Sequence, residues 1–217
     1  MPGATVVLAG ASGDLGERVA RALVARGATV RALTRPDTSP QKVQRLQSHG
    51  LMIARADYAD AEAMRSACAG ADCVVSTLSG LRPVIVDAQT QLLQAAVAAA
   101  VPRFIPSDYS IDYTTIPAGS NRNLDLRREF MERLNGAPIA GTSVLNGAFA
   151  DMLTGTAPLI LFNRRRVLYW HDADQEMDFT TMDDAAAFTA DAALDAGAPR
   201  FLRVAGDQVS AATWPGS

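Results

Sequence analysis

The sequence predicts an α/β protein built on a doubly wound parallel sheet. Three observations carry that prediction. The chain opens on a strand, a glycine-rich turn, a helix and a second strand between Thr5 and Arg35. Short apolar runs then alternate with amphipathic segments, the pattern of successive βαβ units. A chain of 217 residues, 48% of them hydrophobic, is long enough for one substantial core.

The opening unit is the most explicit. Val6, Val7 and Leu8 form an apolar run too short for a helix and suited to a strand buried on both faces. After the turn, Leu15, Val19, Ala22 and Leu23 recur at helical spacing, and Gly27 closes the segment as a C-terminal glycine does. Thr29 to Thr34 reads as the second strand. Between strand and helix stands Gly10-x-x-Gly13-x-x-Gly16. The first glycine permits a sharp turn, the second a close approach of a pyrophosphate, the third tight packing of the helix on the sheet. The helix start adds free N–H groups and a positive dipole end. Gly10, Ser12, Gly13, Asp14, Leu15 and Gly16 are therefore expected to cradle a dinucleotide.

Cofactor choice is read at the end of the second strand. An NAD site usually holds Asp or Glu there for the ribose 2′-hydroxyl. This chain has Leu33-Thr34-Arg35-Pro36 and no acid before Asp37. A guanidinium pairs with a 2′-phosphate in two-point geometry, so NADP(H) is expected in preference to NAD(H). The bland alternative is that Arg35 is a solvated loop charge.

The remaining elements follow in order. A short helix is expected from Gln41 to His49, a third strand from Leu51 to Ala56, and a helix from Ala61 to Ala69 stopped by Gly70. Asp57 and Tyr58, at the carboxyl end of the third strand, are assigned to the adenine side of the site; Asp57 could instead only cap the helix that follows. Asp72 to Gly80 is the fourth strand and its exit loop, where the small Ser76, Thr77, Ser79 and Gly80, beside Leu78, admit a ligand closely. A long helix is expected from Pro83 to Ala100, then a fifth strand from Val101 to Pro106. Pro106, Ser107 and Asp108 are assigned to the cofactor. Tyr109 and Tyr113 stand where the reacting centre is expected, as catalytic candidates or as amphipathic rims of a pocket. No Tyr-x-x-x-Lys occurs, and Lys42, the only lysine, lies too early to serve a tyrosine. A helix from Asn121 to Leu134 and a sixth strand from Gly141 to Asn146 complete the predicted sheet. Residues 1–150 are read as the dinucleotide-binding domain. Residues 151–217 are read as a small C-terminal region that contributes to the substrate cleft and returns strands and a helix to the main sheet. There, Leu159–Phe162 and Val167–Trp170 flank an arginine-rich tip as a hairpin, a helix runs from Ala185 to Ala196, Phe201–Val204 is a strand, and Trp214-Pro215-Gly216 is a tail.

Composition excludes several classes. A net charge of −3 gives no electrostatic argument for nucleic acid or a membrane surface. Two cysteines fit small buried thiols in a reducing compartment better than a disulfide scaffold. No secretory leader and no run of about 20 apolar residues is evident, so a cytoplasmic protein is expected. No metal site is read from the sequence.

Taken together, the motifs resemble the NmrA-like and isoflavone-reductase-like branch of the atypical short-chain dehydrogenases. The resemblance rests on Gly10-x-x-Gly13-x-x-Gly16, Thr34-Arg35-Pro36, Ser76-Thr77, Arg103-Phe104-Ile105-Pro106-Ser107-Asp108-Tyr109, Asn146-Gly147-x-Phe149 and Phe179-Thr180-Thr181-Met182-Asp183-Asp184. It implies a Rossmann-type domain binding NADPH, a smaller lobe shaping a substrate cleft, and reduction of a small aromatic, quinone or carbonyl acceptor by hydride transfer. Other members of that branch bind the cofactor and act as redox-sensing regulators through protein contacts. The resemblance also implies a catalytic lysine about four residues before Arg127-Arg128; Asn123 stands there. Asparagine can orient a hydroxyl or a water but brings no charge to lower a neighbour's pKa. A second departure is a substrate lobe shorter than the family's, which leaves the cleft open or completed by a second subunit of a homodimer. Three readings follow: a reductase, a non-catalytic regulator, and a functionally decayed relative.

Overall fold

The computed structural model describes residues 3–154, 160–169 and 171–213. The first half alternates strand and helix: β1 (Thr5–Ala9), α1 (Asp14–Ala25), β2 (Thr29–Thr34), α2 (Pro40–Ser48), β3 (Met52–Arg55), α3 (Ala61–Cys68) and β4 (Cys73–Ser76). A π-helical segment, Pro83–Ala88, runs into α4 (Gln89–Ala98), followed by β5 (Arg103–Ile105), α5 (Arg122–Asn135), β6 (Ala140–Gly141) and β7 (Ser143–Leu145). Then come β8 (Ala148–Phe149), β9 (Ile160–Leu161), β10 (Arg166–Val167), β11 (Met177–Thr180), α6 (Met182–Leu194), β12 (Phe201–Arg203) and β13 (Asp207–Val209).

The central sheet has six strands in the order β3-β2-β1-β4-β5-β6, all parallel. The strand order reverses between β1 and β4, and ligands of such sheets bind outside the carboxyl ends at that switch point. Side chains of β1 alternate between two cores. Val6 and Leu8 join α1, α2 and α6 on one face, while Val7 and Ala9 join α3, α4 and α5 on the other. That alternation, with both faces covered, is why the strand reads as an unbroken apolar run. The alanine-rich α6 packs on α1 through Ala186 and Ala190, and an Arg26–Asp191 ion pair of 2.7 Å closes the rim of that contact.

Three expectations need correction. The helix expected over Pro83–Ala100 is α-helical only from Gln89; its first six residues are π-helical, and it ends at Ala98, with Ala100 at φ +55°. The sixth strand is split at Thr142. Ala140 and Gly141 pair with β5, Ser143 to Leu145 pair in parallel with β12, and the Thr142 hydroxyl accepts from the buried Arg103 at 2.7 Å. The helix expected from Ala185 begins three residues earlier, because Thr181 caps it by accepting from the Asp184 N–H. The short β8 pairs in parallel with β11 and was not predicted. The hairpin expected around the arginine run is β9 paired antiparallel to β10; its outer residues Leu159 and Trp170, and the tail Trp214-Pro215-Gly216, lie outside the described residues. Among the described residues no helix is long and apolar enough to cross a membrane.

Candidate functional site

The glycine turn sits at the carboxyl end of β1, and its three glycines have three different reasons. Gly10 has φ +83°, and a Cβ there would lie 2.7 Å from Thr77 Oγ1. At Gly16 a Cβ would lie 2.1 Å from the Gly10 carbonyl oxygen. Gly10 and Gly16 thus serve the close packing of turn, helix start and β4 exit. Gly13 is different: a Cβ would meet only the Gly10 oxygen, at 3.4 Å, and would otherwise project into open space. A cradle that a Cβ would fill is what a pyrophosphate needs.

No side chain caps the first turn of α1, nor that of α2. By contrast Asp60, Asn121 and Thr181 cap α3, α5 and α6. The turn before α1 and the start of α2 border one cleft of about 610 Å³, a size typical of a ligand pocket. Gly10, Ala11 and Ser12 form its floor, with Leu33, Thr34 and Arg35 from the end of β2 and Ser39 and Lys42 from the start of α2. Asp57 and Tyr58 close one side; Leu78, Pro83, Val84 and Ala88 close the other. Thr34 Oγ1 is buried with no hydrogen-bond partner among the described residues, and so is Ser76 Oγ at the end of β4.

Two cations border this cleft. Arg35 is largely exposed and its one ion pair among the described residues is with Asp37, at 3.5 Å, an exposed pair worth little. Lys42 makes no ion pair with a described residue. Lys42 lies too early in the chain to serve a tyrosine, yet the fold brings it to this cleft. The available signal was Ser39-Pro40: a proline at the first helical position places Lys42 in the first turn of α2, at the cleft, while Val43 and Leu46 take the buried face. Asp57 accepts from the Ala59 N–H at 2.9 Å, and it is Asp60 that caps α3. Burial pushes the Tyr58 phenol up to about 12, so it is neutral.

The other expected site residues lie elsewhere. Thr77 Oγ1 donates to the Ala9 carbonyl at 2.9 Å and braces the glycine turn. Ser107 is buried; its hydroxyl donates to the Leu78 carbonyl at 2.6 Å and its N–H to Gln89 Oε1 at 2.8 Å. Asp108 is fully buried, and its Oδ2 accepts from Tyr113 at 2.8 Å and from Ser143 at 2.6 Å. Burial raises its carboxyl above the ordinary range, against the pull of those two hydroxyls. Pro106, Ser107 and Asp108 do not line the cleft. Tyr109 and Tyr113 are core residues, not pocket rims, which corrects that expectation. Tyr109 is 8% exposed and receives a hydrogen bond from Thr189; Tyr113 is fully buried against Asp108. Burial raises both phenols, so neither is a ready acid. Asn123 is exposed on the first turn of α5 and lines neither the cleft nor the hollow beside it formed by Leu81, Arg82, Pro83 and Arg122. Among the described residues no group of three or more His, Cys, Asp or Glu could hold a metal ion.

Residues 2–208 match the NmrA-like family. The chain belongs to that family. It is 30% identical over 212 residues to pinoresinol reductase 1 of Arabidopsis thaliana, covering 91% of this chain and 66% of the relative. It is 26% identical over 197 residues to a bifunctional pinoresinol-lariciresinol reductase of Linum usitatissimum, covering 85% and 63%. The chain thus spans slightly under two thirds of the length of the curated relatives it matches. Among solved structures, AtPrR2 with NADP+ and (+)pinoresinol superposes with a TM-score of 0.81 at 26% identity, over 94% of this chain and 70% of that one. The NADPH-dependent quinone oxidoreductase QOR2 of Escherichia coli, complexed with NADPH, gives 0.78 at 25% identity, over 94% and 71%. Within this NmrA-like chain the glycine turn, the uncapped helix starts and the two cations therefore sit on a fold shared with nicotinamide-dependent reductases.

Proposed function

We propose that this chain binds NADP(H) in the 610 Å³ cleft, in preference to NAD(H), and is an oxidoreductase. The observation that carries the proposal is the pair Arg35 and Lys42, set at one cleft beside an uncapped helix start and the open Gly13 position. Two cations with no strong protein partner match a ribose 2′-phosphate. The amides at the start of α1 would hold the pyrophosphate, and Thr34 Oγ1 has an unmet hydrogen bond on the same wall. Asp57 and Tyr58 would flank the adenine, and Leu78 with Pro83 the far half of the cofactor. Residues 1–150 would carry this site and residues 151–217 shape the substrate side.

When bound, the cofactor supplies a hydride. The acceptor in this reading is a small aromatic, quinone or carbonyl compound. A quinone-type acceptor suits the residues best, because Tyr109 and Tyr113 are sealed in the core and Asn123 carries no charge. Hydride donation to such an acceptor depends on positioning more than on a strong acid. That neither tyrosine nor Asn123 serves as an acid favours a second reading, a cofactor-binding regulator without turnover. Loss of NADPH absorbance with a panel of quinones and aromatic carbonyls decides between them. The reductase reading expects turnover with at least one acceptor; tight NADPH binding with no turnover across the panel supports the regulator.

A further inference from the structure

Gln89 is wholly buried, and the cofactor reading gives it no part. It stands where the π-helical segment becomes α4. Its main-chain N–H bonds the Val84 carbonyl, five residues back, and the Val86 carbonyl. Its side-chain Nε2 donates to the Ile85 carbonyl at 3.0 Å, the group four residues back that an α-helix assigns to the main-chain N–H. The side chain thus bonds the carbonyl that an α-helix would pair with the Gln89 main-chain N–H. A π-turn is rare and needs such a reason. The other end of the same amide, Oε1, accepts from the Ser107 N–H at 2.8 Å, and Ser107 Oγ in turn donates to the Leu78 carbonyl at 2.6 Å. One buried amide therefore joins the π-turn to the exit loop of β5, and through Ser107 to the exit loop of β4. Leu78 and Val84, whose carbonyls accept two of these bonds, form with Pro83 and Ala88 the cleft wall on the side of β4, away from Asp57 and Tyr58.

We propose that Gln89 is a positioning residue that fixes the π-turn and the Leu78 loop as one wall, and so governs binding of the nicotinamide half of the cofactor and not of its adenosine half. The proposal rests on the cofactor reading above. It predicts a local effect, because Arg35 stands at the end of β2 and Lys42 on α2, and Arg45 of α2 donates to the Ser12 carbonyl of the glycine turn at 3.3 Å and pairs with Glu17.

The test compares NADPH with adenosine 2′,5′-bisphosphate, which carries only the adenosine half, on the full chain. Gln89→Met keeps length and volume but removes both hydrogen bonds. It should weaken NADPH about tenfold and leave the bisphosphate within about twofold, since one buried hydrogen-bonding group is worth roughly that much in binding. Ser107→Ala, which keeps the main-chain N–H that Gln89 accepts but removes the hydroxyl that holds the Leu78 carbonyl, should show the same split at smaller size and carries the test if the Met variant does not fold. Equal weakening of both ligands, or no change in either, overturns the proposal while the cofactor reading stands. Failure of the unmodified chain to bind either ligand overturns both.

Discussion

The two ends of the sheet's carboxyl edge are built in opposite ways. At the Arg35 end, polar groups face a cleft with their bonding capacity free: Thr34 Oγ1 has no partner among the described residues, Arg35 has only an exposed Asp37, and Lys42 forms no ion pair with a described residue. At the Asp108 end, polar groups are numerous, buried and mostly bonded to one another, although Asp108 Oδ1 has no hydrogen-bond partner among the described residues. Asp108 takes hydrogen bonds from Tyr113 and Ser143, Ser143 takes one from Arg200 at 2.7 Å, and Arg200 grips Asn135. The lesson is that a concentration of hydroxyls and carboxylates in sequence does not make a site. What matters is whether those groups face a cleft or are turned into the core, where most of them bond one another.

The largest expected effect bears on the open end. Gly13→Val should abolish NADPH binding, by about a hundredfold or more, because its side chain enters the space a pyrophosphate needs. The folded structure should survive, since a Cβ at Gly13 meets only one atom, at 3.4 Å. Gly16→Val should unfold the turn instead, its Cβ falling 2.1 Å from the Gly10 oxygen. Calorimetric titration beside a thermal melt distinguishes the two outcomes; if Gly13→Val still binds, the pyrophosphate assignment is wrong.

Next come the cations. Arg35→Ala and Lys42→Ala should each weaken NADPH by about tenfold, a charge-assisted hydrogen bond's worth, and leave NADH affinity unchanged. A matching loss for NADH would mean that these residues do not read the 2′-phosphate.

The closed end should respond in stability. Tyr113→Phe leaves buried Asp108 with one donor fewer and should cost about 1–3 kcal/mol, several degrees in melting temperature for a chain of this size. If stability is unchanged while turnover collapses, Tyr113 acts in chemistry and the contrast between the ends fails.

The smallest effect is electrostatic. The Arg82 and Arg133 guanidiniums hold the Glu129 carboxylate below its ordinary range. Its folded pKa is depressed, so its contribution to stability is present above the unfolded value of about 4.3 and is lost as pH falls through the folded value. Glu129→Gln should therefore lower stability slightly at pH 7, by no more than about 1 kcal/mol, and by less as pH falls below the ordinary carboxylate range. A difference that does not shrink with falling pH contradicts this.

Much of the fold was legible because β1 and its neighbours repeat one unit, and a strand buried on both faces announces itself as Val6-Val7-Leu8. The π-turn was not legible: Pro83–Ala100 reads as one helix, and only the tie from Gln89 to Ser107 across the fold shows where it changes pitch. The glycine turn and Arg35 could be read from local spacing. Lys42 could not be placed without knowing that α2 starts at the same cleft. Tyr109 and Asp108 misled because their partners, Thr189 and Ser143, lie far along the chain and arrive with α6 and β7, and Tyr113 follows Asp108 into the core through the bond between them.

The central claim is that this cleft reads the extra phosphate of NADP(H). Paired calorimetric titrations of the unmodified chain with NADPH and NADH test it most directly. The account predicts one site with NADPH bound at least about tenfold tighter, the difference shrinking as salt is raised. Equal affinities for the two cofactors would contradict it.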